Sequence, residues 1–98
     1  MTHKEAMELE LYCDELISSA IGIDATVSYS ISGYFRIGLG DDGWICVNQD
    51  GGIGYLKFSG FKSDFDEYCN KITETIKQNH DTFERLKWSY EHINELED

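Results

Sequence analysis

Hydrophobic positions along this chain change period twice, and the changes divide it into three zones. Ala6, Leu9, Cys13, Leu16, Ile17 and Ala20 recur at helical spacing, which predicts an amphipathic helix. Thr2 followed by Glu5 reads as a capping box at its start, and Gly22 supplies the left-handed residue that ends it. The middle zone alternates. Ala25, Val27, Tyr29 and Ile31 are interleaved with Thr26, Ser28, Ser30 and Ser32, the pattern of a half-buried strand. Phe35, Ile37 and Leu39 continue it in a second strand.

Turn chemistry sets the expected registers. A loop from Ser32 to Tyr34 puts Ile31 opposite Phe35 and keeps both apolar sets on one face. Asp41-Asp42-Gly43 suits a hairpin that puts Leu39 opposite Ile45 and Ile37 opposite Val47. Asp50-Gly51 reads as a type I′ turn pairing Val47 with Gly54 and Ile45 with Leu56. The core face of the resulting four-stranded meander is Val27, Tyr29, Ile31, Phe35, Ile37, Leu39, Ile45, Val47, Leu56 and Phe58.

The third zone returns to helical spacing. Phe65, Cys69, Ile72, Ile76, Asn79, Phe83, Leu86, Tyr90 and Ile93 form a seam with one polar member, and Ser63 with Asp66 marks its start. One long helix here would run roughly 50 Å. The alternative is a helical hairpin broken at Asn79, with Asp81 and Glu84 capping the second half. The unbroken apolar phase favours the single helix. Its far half, Phe83, Leu86, Tyr90 and Ile93, would outrun a small sheet, so a homodimer is expected. The fold class is α+β, one domain over residues 1–98.

Charge narrows the functions. With 19 acidic and 8 basic residues the chain carries a formal −11. That field repels nucleic acid and anionic membranes and attracts basic proteins. MTHKEAMELE has no apolar h-region and no window approaches a membrane span, so a cytoplasmic protein is expected. Cys13, Cys46 and Cys69 are an odd, unpaired set of thiols and predict no disulfide framework. Neither they nor His3, His80 and His92 have metal-site spacing, and Asp41, Asp42, Asn48 and Asp50 lack that of a calcium loop. DGGIG precedes no helix, so it does not cradle phosphate. We expect no catalytic residue, no metal and no cofactor.

Two patches are candidates for partner binding. Helix acids Glu5, Glu8, Glu10, Asp14 and Glu15 flank an outward apolar pair, Met7 and Leu11, and loop acids Asp41, Asp42 and Asp50 add to them. A solvated acidic face is the plain alternative. The outer sheet face carries Tyr34, Arg36, Trp44, Cys46, Ile53, Tyr55 and Lys57, rich in interface hot-spot residues. Helices covering both sheet faces would bury it instead, and base stacking on it is the third reading. Trp88 lies off the helical seam as a further anchor.

In size, acidity and helix–sheet–helix order the chain resembles small acidic phage-encoded inhibitors, including anti-CRISPR proteins. The resemblance implies an inhibitor that blocks a basic nucleic-acid-binding protein or nuclease by nucleic-acid mimicry. It rests on type rather than on any residue motif. Carboxylates one helical turn apart, roughly 5–6 Å, approximate the spacing of strand phosphates. The competing expectation is an immunity protein or chaperone-like adaptor that binds one toxin or effector through the aromatic sheet face.

Overall fold

The computed structural model describes residues 1–30 and 32–98, with the backbone alone at Tyr55. Helix α1 (His3–Ile21) leads into strands β1 (Thr26–Tyr29), β2 (Phe35–Gly38), β3 (Gly43–Val47) and β4 (Ile53–Phe58). Helices α2 (Lys62–Gln78) and α3 (His80–Glu91) follow, then a 3-10 turn at Ile93–Glu95. The sheet is an antiparallel meander in the order β1-β2-β3-β4, as the alternation predicts.

The ends of α1 form as expected. Thr2 Oγ1 accepts from the Glu5 N–H at 3.0 Å and the Glu5 carboxylate accepts from the Thr2 N–H at 3.1 Å. Gly22 closes the helix at φ 79°. One apolar core joins all the helices to one sheet face. Leu9, Cys13, Ile17 and Ile21 of α1 meet Val27, Phe35, Ile37, Ile45 and Val47, closed over by Cys69, Ile72, Ile76, Phe83 and Leu86. Phe35 is its centre, edge-on to Tyr29 at 5.1 Å and to Phe83 at 5.4 Å.

Two registers differ from expectation by two residues, which leaves the faces unchanged. Tyr29, not Ile31, pairs with Phe35. The Ser30 N–H bonds to Tyr34 O at 2.9 Å, which closes the hairpin one pair earlier than expected. Ile31 lies outside the described residues. Ile37 pairs with Ile45, and Phe35 with Val47. There the loop is the 3-10 turn Gly40–Asp42, closed by the Leu39 N–H on Gly43 O at 2.8 Å, and Gly40 takes the left-handed conformation at φ 63°.

The last hairpin keeps Ile45 opposite Leu56, Cys46 opposite Tyr55 and Trp44 opposite Lys57. Its turn is not type I′, since Gly51 (φ 89°) is left-handed and Asp50 is not. Asn48 Oδ1 accepts from the N–H groups of Asp50 and Gly52 at 2.9 and 2.8 Å, favouring a longer loop. Val47 therefore pairs with Ile53 rather than Gly54, and the ladder has a bulge. The bulge moves Ile53 from the expected outer face to the side of Val47.

The C-terminal zone is two helices, not one. Asn79 (φ −117°, ψ 38°) interrupts them. Its N–H still reaches Thr75 O at 3.0 Å, its side-chain amide also donates there at 2.9 Å, and its own carbonyl accepts from Phe83 at 3.1 Å. The break spans a single residue, so the apolar phase survives it. Neither expected cap forms. The N-cap of α2 is Phe61 rather than Ser63, and neither α2 nor α3 has a side-chain cap bond. Phe83 and Leu86 are fully buried within the chain, which removes the reason for expecting a homodimer through the seam. Ile93 leaves the seam and is exposed, while buried Leu96 brings the C-terminus beside the N-terminus, where the His3 N–H bonds to Glu97 O at 2.8 Å.

Candidate functional site

The five acids of α1 divide into two groups. Three serve the fold. Glu5 completes the capping box, whose Thr2 bonds hold its carboxyl below the usual carboxylate range. Glu10 accepts a hydrogen bond from the Tyr90 hydroxyl of α3. Asp14 accepts from the Val27 N–H of β1 at 2.7 Å. Burial raises the Asp14 carboxyl above its usual range; the Val27 bond opposes that rise, and the Glu10 and Glu15 charges reinforce it.

Glu8 and Glu15 are exposed, and among the described residues neither makes an ion pair. Beside them Met7 is 65% and Leu11 56% exposed. α3 does not cover this pair. It leaves instead an open groove of about 320 Å³ where Met7 and Ala6 face Tyr90 and Ile93. The combination survives, but the array of carboxylates one turn apart does not. Glu10 and Asp14, the pair at i, i+4, are both held inside.

The second patch is the outer sheet face, and no helix covers it, because every helix in the core packs against the opposite side. Arg36 and Trp44 stand on it, the guanidinium carbon 5.1 Å from the indole centroid. Cys46 lies buried on the same face, and burial raises its thiol. The Tyr34 ring lies across the bulge, where a Cβ on Gly54 would stand 2.3 Å from it. One glycine of DGGIG thus admits an aromatic ring to the strand. Beside Arg36 and Trp44 runs an open groove of about 520 Å³, with Gly38, Lys57, Asp41 and Asp42 in its lining. Its hydroxyls (Thr26, Ser28, Ser59), cations and carboxylates suit polar contact; among the described residues Ser59 Oγ bonds to the backbone carbonyls of Asp41 and Asp42, and none of the three hydroxyls bonds to a side-chain base.

Other predicted residues sit apart. Asp50 is exposed at the β3–β4 turn. Trp88 stacks on His92 at 4.4 Å and is partly exposed. The side chain of Tyr55 lies outside the described residues. Among the described residues no three His, Cys, Asp or Glu side chains gather to hold a metal ion, and no helix is long and apolar enough to cross a membrane. Sequence reasoning missed Tyr12, half-exposed beside the α1 acids, and Leu56 and Phe61, which are 50% and 80% exposed. No family model, curated protein or solved structure matches the chain.

Proposed function

We propose that this chain is a small acidic protein-binding domain of inhibitor type, docking on a basic, nucleic-acid-binding partner through the outward side of α1. The observation that supports it best is Glu8 and Glu15, without a cationic partner, beside exposed Met7 and Leu11. Charge of this kind speeds encounter, and the apolar pair supplies contact area once the partner arrives. Because Glu10 and Asp14 are engaged internally, attraction comes from the field of the whole face rather than from a copy of phosphate geometry.

The test is affinity capture from the host, followed by on- and off-rates for wild type and for Glu8→Lys/Glu15→Lys at two salt concentrations. Association should slow about tenfold or more in the charge-reversed protein, with an unchanged circular dichroism spectrum. Nucleic acid should compete for the same partner. Equal rates for both proteins would sink the reading.

A second reading has its own support. The outer sheet face is open and carries the Arg36–Trp44 pair, as an adaptor or immunity-type protein would need. On that reading Trp44→Ala speeds dissociation, and nucleic acid does not compete.

A further inference from the structure

The two edges of the sheet are treated differently. β1 is sealed. Its outward Val27 N–H bonds to Asp14, and Ser18 Oγ accepts from the Ala25 N–H at 2.8 Å and donates to Ala25 O at 3.2 Å. β4, the other edge, has no such cover. Among the described residues no backbone group of Ile53–Phe58 bonds to anything but β3. The Ser59 N–H bonds to Asp42 O at 2.9 Å, so the alternation of an antiparallel ladder turns Lys57 toward β3 and the N–H and C=O of Leu56 and Phe58 outward. Beyond the bulge at Gly54, these outward groups leave the edge open to another strand.

The side chains along the edge define what strand it would take. Leu56 and Phe58 share the core face, but the helices do not close over Leu56. An apolar recess of about 280 Å³ opens there between Leu56, Phe58 and Phe65. Phe58 is braced from behind by Phe65 at 5.3 Å and Tyr68 at 6.1 Å, so the recess has a firm wall. On the opposite face stands Lys57, without an ion pair among the described residues, whereas nearby Lys62 is held by Asp66 at 3.0 Å. Residues 51–63 contain no acid at all. Asp41 and Asp42 line the same groove as Lys57, so selectivity for an acid comes from direct pairing with the Lys57 ammonium rather than from a net positive field.

We propose that β4 is a strand-addition site for an extended peptide that reads apolar–acidic–apolar, the acid pairing with Lys57 and the apolar residues lying against Leu56 and Phe58. Backbone bonds to the free edge supply affinity, and the alternate side chains supply selectivity. A second copy fits poorly, because β4 itself (IGYLKF) brings a lysine and no carboxylate to the pairing. The site is separate from the α1 face, so it stands or falls independently of the function proposed above.

The probe is a fluorescein-labelled peptide, Ser-Thr-Leu-Glu-Leu-Thr-Ser, against a control with lysine in place of its glutamate. Fluorescence anisotropy should show the glutamate peptide binding about threefold or more tightly than the control. Lys57→Glu should reverse that order. Leu56→Pro, which removes an outward N–H, should abolish binding of both peptides, and circular dichroism reports whether that variant folds. Amide exchange at Leu56 and Phe58 should slow in the bound wild-type protein. The proposal is overturned if neither peptide binds at millimolar concentration, if both bind equally, or if Lys57→Glu leaves the order unchanged. It is also overturned if sedimentation shows a wild-type dimer that Leu56→Pro dissociates, which would give the edge to a second copy.

Discussion

Asp14→Ala should damage the fold, while Asp14→Asn should leave it intact. The Asp14 carboxylate accepts from the Val27 N–H at 2.7 Å, and Val27 is buried. The bond from the Ser30 N–H to Tyr34 O sets the even positions of β1 toward β2, which turns the Val27 N–H to the sheet edge. Alanine there leaves a buried donor unpaired, at a cost of about 1–3 kcal/mol. A domain of this size holds roughly 5–15 kcal/mol in all. In urea the midpoint should fall by about 1 M with an unchanged slope. Asparagine keeps an amide oxygen for the same donor and removes a charge that burial disfavours.

The pH dependence separates acceptor from charge. The folded-state value of Asp14 lies above its unfolded one, mainly because the carboxyl is desolvated. The folded state therefore holds this proton longer than the unfolded state does. Below the ordinary carboxylate value of about 3.9 both states are protonated and the charge costs nothing. As pH rises from there through the raised folded value, wild type loses stability relative to Asp14→Asn, and the gap then levels off. Parallel urea titrations across pH 3–8 measure it. If Asp14→Asn proves as harmful as Asp14→Ala at every pH, the negative charge itself holds the edge and the acceptor account is wrong.

The turn and the core give two further tests. Gly51 sits at φ 89°, so Gly51→Val should cost about 1–3 kcal/mol, whereas Asp50→Ala should change stability by under about 0.5 kcal/mol, because Asp50 needs no positive φ. Equal losses at the two positions by thermal melting would restore the type I′ turn. Phe83 is fully buried within the chain, so Phe83→Ala should cost about 3–5 kcal/mol at every protein concentration. A melting temperature that climbs with concentration would mean that a second copy covers the seam.

Periodicity carried most of the fold, and its failures have local causes. The capping box of Thr2 and Glu5, the glycine stop at Gly22 and the faces of β1, β2 and β3 were legible because each depends on neighbours in the chain. The loop from Gln49 to Gly51 was not legible, because it turns on where the Asn48 side chain points, and Asn48 suits several turns. The break at Asn79 keeps the helical phase, so no spacing rule could see it. The candidate site was legible only as a set of outward residues. That Glu10 reaches Tyr90 and Asp14 reaches Val27 depends on how α3 and β1 pack on α1, which helical projection does not contain.

Those inward bonds also decide what sort of binding the acids of α1 can support. A mimic of a nucleic-acid strand needs free carboxylates at a repeating spacing, and here Glu5, Glu10 and Asp14 are each hydrogen-bonded within the fold. Glu8 and Glu15 are two turns apart, about 10 Å along the axis, too far to stand for adjacent phosphates. The proposed function therefore rests on net field and on Met7 with Leu11, two terms that respond differently to perturbation. Field should set the on-rate and fade as salt shortens the Debye length, while the apolar pair should set the off-rate and stay nearly constant. Met7→Ala/Leu11→Ala should accordingly leave association almost untouched and hasten release. A partner that lost its on-rate with these two residues instead would be recognising the shape of the helix face, and the charge would be incidental to binding.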